Sequence, residues 1–202
     1  MALSRQQSGA ADQAHEMVGV SPAGGRKAVF LDRDGVIVIP EFRDGRSYAP
    51  RSLEDYRFYP QASAALSRLK SAGYLLIVVT NQPEVGQGLI AEEVLAEMHR
   101  RLQASFPVEA IKVCRHTGAD NCNCRKPKPG MLLEAASEFR ISLPDSYMVG
   151  DRATDVEAGR AAGCRTVFID LGYTGERKPD RPCFTVSSVD QAADVILAAT
   201  PI

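Results

Sequence analysis

The fold and the chemistry are indicated most directly by one ten-residue stretch, Val29-Phe30-Leu31-Asp32-Arg33-Asp34-Gly35-Val36-Ile37-Val38. A short, continuous apolar run is typical of a buried strand in a parallel sheet, and open α/β sheets bind ligands at the carboxyl ends of their strands. We therefore expect Asp32 and Asp34 to lie at a strand tip in a ligand crevice. A strand that ends in a solvated acidic turn would show the same D-x-D-G pattern, so this motif alone leaves both interpretations open.

Strand and helix patterns alternate along the rest of the chain. Apolar runs predict strands over 27–31, 75–79, 110–113, 146–149 and 165–169, and helical patterns are found over 61–72, 91–105, 130–139, 155–162 and 189–199. This alternation predicts an α/β fold, a Rossmann-like doubly wound parallel sheet with helices on both faces and no large cap domain. The longest irregular stretch, residues 39–59, follows the D-x-D strand, and we expect it to border the site.

Length, charge and cysteine content narrow the class of protein. A chain of 202 residues predicts one domain, residues 27–202, and we interpret residues 1–26, rich in Ala, Gly, Ser and Gln, as a disordered tail. A net charge of −1 indicates no broad surface for nucleic acid or membrane. The absence of an apolar signal segment favours the cytoplasm, and we expect a monomer. Five cysteines, three of them clustered, favour a metal site or free thiols over a disulfide framework.

Three of the predicted strands end in polar side chains: Asp32 and Asp34, then Thr80 and Asn81, then Asp151. The carboxyl ends of parallel strands meet at one edge of the sheet, and Lys126 lies between the last two groups in sequence. Carboxylates at Asp32 and Asp151 suit Mg²⁺, while Thr80 and Lys126 suit phosphate oxygens, so the set predicts phosphoryl transfer. Asp155 has two open interpretations, as part of the metal shell or as a helix N-cap.

A second cluster precedes Lys126 and contains Cys114, His116, Cys122 and Cys124. Thiolates and an imidazole in a closed set of four are typical of a structural, tetrahedral Zn²⁺ site, although unrelated thiols on a loop would give the same residues. All four positions lie within one short segment that leads directly into Arg125 and Lys126. A zinc-stapled loop would therefore fix the position of two phosphate-binding cations.

Four motifs resemble those of haloacid dehalogenase-superfamily phosphatases: Asp32-Arg33-Asp34-Gly35, Val78-Val79-Thr80-Asn81, Arg125-Lys126-Pro127 and Gly150-Asp151. The resemblance extends from about residue 27 to about residue 197. It implies that Asp32 attacks phosphorus to form an aspartyl-phosphate. It also implies that Asp34 protonates the leaving oxygen, activates water afterwards, and gives Mg²⁺ a backbone carbonyl. Asn81, Arg125 and Arg152 are the candidates for substrate contacts.

Two subgroups of the superfamily share the pattern C-x-H…C-x-C-R-K-P-K-P-G-M, namely the heptose-bisphosphate phosphatases and the histidinol phosphatases, which makes zinc the implied metal. The continuation Pro129-Gly130-Met131-Leu132-Leu133 resembles the sequences of the heptose-bisphosphate phosphatases. Residues 150–155 resemble those of the histidinol phosphatases. The sequence departs from the heptose enzymes at Val38, where Asn is common, and at Pro83, Glu84 and Gln87, where they carry a Ser-Gly pair and an Arg.

The resemblance implies a Mg²⁺-dependent phosphomonoesterase that removes the 7-phosphate of a D-glycero-D-manno-heptose 1,7-bisphosphate. This reaction belongs to nucleotide-heptose synthesis for surface polysaccharide such as lipopolysaccharide. A phosphatase of histidinol phosphate or another small phosphomonoester is the alternative enzyme. A non-catalytic, zinc-stapled binding module is a different class, and Asp32 and Asp34 argue against it. A nucleic-acid end phosphatase would need a basic stripe, which the charge balance does not indicate.

Overall fold

The computed structural model describes residues 24–199, so residues 1–23 of the predicted tail and the last three residues lie outside the described part. Six parallel strands form one sheet: β1 (Ala28–Leu31), β4 (Leu75–Asn81), β5 (Ala110–Cys114), β6 (Tyr147–Gly150), β7 (Arg165–Ile169) and β8 (Phe184–Val186). Their order across the sheet is β5-β4-β1-β6-β7-β8. The strand order reverses between β1 and β6, which places a crevice at the carboxyl ends of these two neighbours.

Helices cover both faces of this sheet, as the alternating pattern predicts. The helices are α1 (Ala62–Ser71), α2 (Pro83–Gly86), α3 (Glu92–Ser105), α4 (Gly130–Phe139), α5 (Ala153–Ala162) and α6 (Val189–Ala198). One apolar core, which includes Leu66 and Leu102, lies under α1, α3 and α6, and a second, which includes Leu132 and Ala158, lies under α4 and α5. The doubly wound α/β architecture is therefore confirmed.

The stretch 39–59 differs from the prediction because part of it is regular. Strands β2 (Glu41–Arg43) and β3 (Arg46–Tyr48) pair antiparallel as a hairpin. The two turn residues, Asp44 and Gly45, have φ angles of 50° and 74°. Positive φ at both positions is the geometry of the type I′ turn, which matches the twist of a two-residue hairpin. The hairpin stands above the carboxyl edge of the sheet.

Smaller differences occur elsewhere. The strand over 165–169 is not the last one, because β8 pairs with it at the sheet edge. The predicted boundary between tail and domain stays a prediction, although Arg26 already belongs to the fold: its N–H donates to Arg140 O and its carbonyl accepts from Ser142 N, both at 2.9 Å. No helix within residues 24–199 is both long and apolar enough to cross a bilayer.

Candidate active site

The predicted catalytic side chains meet at the carboxyl edge of three adjacent strands. Asp32 follows β1, Thr80 lies at the end of β4, and Asp151 follows β6. Because β1 lies between β4 and β6 in the sheet, these three side chains surround one point. All three are buried, with exposed fractions of 7% for Asp32, 1% for Thr80 and 2% for Asp151. The convergence expected from the strand pattern is therefore present.

Lys126 is the cation at the centre of this group. Its Nζ lies 2.9 Å from Asp32 Oδ1 and 2.6 Å from Asp155 Oδ1, and donates to the Val79 carbonyl at 2.8 Å. Burial lowers the pKa of Lys126, but the charges of Asp155 and Asp32 outweigh that effect, and the pKa is raised above its usual value. Lys126 therefore carries its charge where a phosphoryl group would meet Asp32.

Asn81 fixes the loop that carries Lys126. Its side-chain Nδ2 donates to Lys126 O at 3.2 Å, and its Oδ1 accepts from Lys126 N at 3.1 Å. Both polar groups of the carboxamide thus hold the backbone of the lysine. Asn81 also lines the cavity described below. Its part in substrate binding stays a prediction, and its observed contact is with the protein.

Asp34 is held by two residues outside the predicted catalytic set, Arg33 and Gln82. Arg33 is fully buried and reaches Asp34 with Nε at 3.1 Å from either oxygen and with a terminal nitrogen at 2.8 Å. The same nitrogen donates to Gln82 Oε1 at 2.9 Å. Gln82 Nε2 in turn lies 2.8 Å from Asp34 Oδ2 and 2.9 Å from Thr80 Oγ1. This network orients the Asp34 carboxylate beside Thr80.

Three buried carboxylates form a candidate metal site. Each of Asp32, Asp151 and Asp155 offers one oxygen within 4.8 Å of the others. Burial, followed by the charges of the neighbouring carboxylates, raises the pKa of Asp151 well above its usual value, and burial raises the pKa of Asp155 to about 6. Lys126 alone does not balance three acids, so the site favours a further cation. Oxygen donors of this kind fit Mg²⁺.

The predicted ligands were the carboxylates of Asp32 and Asp151 and the backbone carbonyl of Asp34, and both of these carboxylates belong to this set. The Asp34 carboxylate is occupied by Arg33 and Gln82, which leaves its backbone carbonyl as the group for a metal. Asp155 joins the acidic cluster, and its Oδ2 also accepts from Arg152 N at 2.9 Å at the start of α5. Both interpretations of Asp155, helix capping and metal shell, are therefore compatible with its position.

The second cluster brings together all four predicted zinc ligands. Cys114 Sγ lies 3.7 Å from both His116 Nδ1 and Cys122 Sγ, while Cys124 Sγ lies 3.4 Å from Cys122 Sγ and 3.3 Å from His116 Nδ1. With Zn–S bonds of about 2.3 Å, tetrahedral ligands stand about 3.8 Å apart. The four groups therefore fit a closed Zn²⁺ site. Arg125 follows it directly and donates to His116 O at 2.9 Å.

Comparison with known proteins agrees with this geometry. Residues 123–192 match the HAD-hydrolase-like family model. The chain is 38% identical over 139 residues to the D-glycero-beta-D-manno-heptose-1,7-bisphosphate 7-phosphatase of Helicobacter pylori, an alignment that covers 66% of this chain and 77% of that protein. It is 36% identical over 152 residues to the Pseudomonas aeruginosa protein of the same name, covering 73% and 83%. The chain belongs to this family of haloacid dehalogenase-type phosphatases.

A solved structure gives the same assignment for the fold. The D,D-heptose 1,7-bisphosphate phosphatase from B. bronchiseptica, complexed with magnesium and phosphate, superposes with a TM-score of 0.71 at 27% identity, covering 86% of this chain and 99% of that chain. The phosphatase described here is thus a hydrolase of phosphate monoesters, with the sheet and helices of its relatives.

The hairpin and the loop that contains residues 175–177 form walls of the candidate active site of this phosphatase. A cavity of about 480 Å³ opens above Asp32 and is lined by both. Arg152, a predicted substrate contact, reaches up to Ser47 of the hairpin, with its terminal nitrogen 2.5 Å from the carbonyl and 2.7 Å from Oγ. The loop is tied to the turn by Gly175 N, which donates to Gly45 O at 2.9 Å.

Charges of both signs line this cavity. The cationic residues are Arg46, Arg125, Lys126, Arg152 and Arg177, and the acidic residues outside the metal cluster are Asp34, Glu84 and Glu176. With Asp32 and Asp155 the lining holds five acidic residues against five cationic ones, and a bound Mg²⁺ would shift this balance in favour of a substrate that carries more than one anionic group. Glu84, which departs from the pattern of the heptose enzymes, also lines this cavity, and its Oε2 is buried without a hydrogen-bond partner among the described residues.

Proposed function

We propose that the phosphatase removes the 7-phosphate of D-glycero-β-D-manno-heptose 1,7-bisphosphate, through an aspartyl-phosphate on Asp32, in nucleotide-heptose synthesis for surface polysaccharide such as lipopolysaccharide. The observation that carries the proposal is the position of Lys126 Nζ, 2.9 Å from Asp32 Oδ1 in a buried acidic cluster. The names of the relatives from H. pylori and P. aeruginosa support the choice of sugar.

The chemistry follows from the residues at the strand tips. A carboxylate oxygen of Asp32 attacks phosphorus while the bond to the C7 oxygen breaks, and Asp34 gives its proton to that leaving oxygen. Asp34 then removes a proton from water, which attacks phosphorus and breaks the bond to Asp32. Inorganic phosphate leaves and Asp32 is restored. Lys126 and the Thr80 hydroxyl stabilise the charge on the phosphoryl oxygens in both steps.

Two metals complete the proposal. Asp32, Asp151 and the backbone carbonyl of Asp34 would hold Mg²⁺, with Asp155 orienting this set, and the ion would neutralise charge on the transferred phosphoryl group. Support comes from the acidic cluster and from the magnesium bound in the B. bronchiseptica structure. The cysteine and histidine cluster would hold Zn²⁺, which has a structural role because no ligand position stays open.

Substrate recognition is assigned to the cationic residues that line the cavity. Arg125 would meet the phosphate at C1, because a guanidinium pairs two oxygens of a phosphate at once. Asn81 and Arg152 would contact the sugar, and Glu84 would accept a hydrogen bond from a sugar hydroxyl. We place the enzyme in the cytoplasm as a monomer. A compartment that keeps thiols reduced suits the three cysteines of the proposed zinc site.

A phosphate-release assay with Mg²⁺ tests the proposal. The substrates are the β and α anomers of the heptose 1,7-bisphosphate, histidinol phosphate and fructose 1,6-bisphosphate. We expect the highest kcat/KM on the β heptose bisphosphate, because histidinol phosphate carries a cationic amine where the second phosphate would lie. A higher kcat/KM on histidinol phosphate would replace this function with the alternative phosphatase.

A further inference from the structure

One carboxylate of the acidic cluster is held by a residue outside the four sequence motifs. Tyr173, in the loop after β7, donates its hydroxyl hydrogen to Asp151 Oδ2 at 2.7 Å. Both residues are buried, with exposed fractions of 8% and 2%. The other oxygen, Asp151 Oδ1, is also buried and accepts no hydrogen bond from any residue within 24–199. The tyrosine thus occupies one oxygen and leaves the other without a hydrogen bond among the described residues.

The enclosure of Asp151 Oδ2 is completed by the backbone of the D-x-D-G motif. Gly35 has a φ angle of +85°, and a Cβ built at this position would overlap Oδ2. Oδ2 therefore lies between the Gly35 backbone and the Tyr173 hydroxyl. Rotation of a carboxylate about χ2 is soft, so a hydrogen bond to one oxygen decides which oxygen faces the site. In this structure the hydrogen bond goes to Oδ2, and Oδ1 is the oxygen without a partner.

Tyr173 is itself fixed by the hairpin above the site. Its ring stacks on Phe42 of β2 with centroids 5.8 Å apart and an interplanar angle of 22°. Phe42 is 58% exposed, which is a large exposure for an aromatic side chain. One face of its ring is covered by Tyr173. The contact links the hairpin, whose second strand lines the cavity, to a carboxylate of the acidic cluster.

We propose that Tyr173 is a positioning residue for Mg²⁺ binding, which acts by orienting Asp151 so that Oδ1 faces the cation. The inference rests on the Mg²⁺ site of the proposed function but not on the identity of the sugar. Hydrogen-bond partners of metal ligands are worth about 10- to 100-fold in metal affinity. Tyr173 fits this role because it touches only the oxygen that would not coordinate the ion.

The test compares Tyr173→Phe with the unaltered protein. This variant removes one hydroxyl and keeps the ring that stacks on Phe42. Mg²⁺ is titrated without substrate by isothermal calorimetry and by the shift in Tm, and we expect the Mg²⁺ Kd to rise about 10- to 100-fold. At saturating Mg²⁺, kcat and KM should stay near their original values, because Tyr173 does not touch the reacting atoms.

Tyr147→Phe is the matched control. The Tyr147 hydroxyl is also buried and bound to a charged side chain, since Arg165 donates to it at 2.5 Å, but it lies at the amino end of the sheet. Its loss should leave the Mg²⁺ Kd unchanged. Phe42→Ala, at a position that is 58% exposed, keeps the Tyr173 hydroxyl but frees its ring. It should raise the Kd by a smaller factor.

Three results would overturn the inference. The first is a folded Tyr173→Phe protein with an unchanged Mg²⁺ Kd. The second is a loss of kcat at saturating Mg²⁺ without a change in Kd, which would place Tyr173 in the chemistry instead. The third is an unaltered protein that binds no Mg²⁺, which would end the proposed metal site as well. Failure to cleave the heptose bisphosphate, with Mg²⁺ bound as expected, would refute only the proposed substrate.

Discussion

The ammonium of Lys126 lies 2.9 Å from Asp32 Oδ1, and both side chains are buried at the carboxyl edge of the sheet. The cation that would neutralise a phosphoryl group is therefore in contact with the predicted nucleophile before any substrate enters. Lys126 also contacts Asp155 and the Val79 carbonyl, so its position does not depend on Asp32 alone. This redundancy allows the nucleophile to be altered without releasing the lysine.

Asp32→Asn should abolish turnover while the fold survives. The amide keeps the shape of the carboxylate but lacks the attacking charge, and removal of a nucleophile costs about 10³-fold or more in kcat. Phosphate release from the heptose bisphosphate measures the loss, and circular dichroism with Tm measures the fold. Asp194→Asn, on an exposed side chain of α6, is the control and should keep full activity. Near-normal turnover by a folded Asp32→Asn protein would exclude the aspartyl-phosphate mechanism.

Cys124→Ala should release the zinc and lower activity indirectly. The loop from Cys114 to Cys124 leads directly into Arg125 and Lys126, so a missing ligand disorders both cations. Elemental analysis should find about one zinc per chain in the unaltered protein and less in the variant. Acidification should release the metal too, because zinc needs deprotonated thiols and a neutral imidazole.

Cys183, one of the two cysteines outside the cluster, provides the control for this experiment. Cys183 is exposed and lies far from the cluster in sequence, so Cys183→Ala should keep zinc, Tm and activity. A zinc-free protein with full activity and an unchanged Tm would show that these three cysteines and His116 do not form a structural metal site.

Arg125→Ala should impair the bisphosphate more than a monophosphate. Loss of a charge-assisted contact costs about 1.5–3 kcal/mol, or roughly 10- to 100-fold in kcat/KM. Comparing heptose 1,7-bisphosphate with heptose 7-phosphate isolates the contribution of the second anionic group. Arg115→Ala is the control, because Arg115 lies on the same loop but pairs with Glu92 at the surface. An equal loss on both substrates, with zinc retained, would assign Arg125 to the loop instead of the second phosphate.

The main features of the fold were predictable because buried parallel strands appear as continuous apolar runs. The hairpin was not, since β2 and β3 have three residues each and carry charges. Its turn nevertheless contained a signal, because Asp44-Gly45 is a dipeptide that favours a type I′ turn. Strand β8 is equally short and lies at the sheet edge, where a single short run is easily taken for a loop.

The motif residues of the site were predictable, but their supports were not. An arginine flanked by two aspartates in sequence is typical of a solvated, charged segment, and a fully buried arginine is rare unless it is paired. The burial of Arg33 was therefore not predictable from its neighbours in sequence. Its partner Gln82 is 49 residues away in sequence, and Tyr173 reaches Asp151 across 22 residues. Such contacts depend on which loops pack together above the sheet, which local sequence patterns do not specify.

We expect His99 to lower the free energy of unfolding as the pH falls. It lies on α3, and its Nε2 is buried with no hydrogen-bond partner among the described residues. Burial, followed by the charges of Arg33 and Arg115, lowers the pKa of His99 to about 4. In the unfolded chain the pKa is about 6.5, so the unfolded state binds a proton that the folded state rejects between these two values. The stabilising contribution is therefore complete above about pH 6.5 and is lost as the pH falls toward 4.

His99→Gln removes the titrating group, and the difference from the unaltered protein isolates it. The free energy of unfolding, measured by urea at intervals from pH 7 to pH 4.5, should fall more steeply for the unaltered protein, by at most about 1.4 kcal/mol per pH unit. Zinc release affects both proteins equally and cancels in the difference. Gln103→Ala, at an exposed position on the same helix, should keep the original pH profile. Parallel profiles for the His99→Gln and unaltered proteins would contradict this account, and so would an NMR titration of His99 near pH 6.5. Either result would mean that the folded state accepts the imidazolium as readily as the unfolded chain does.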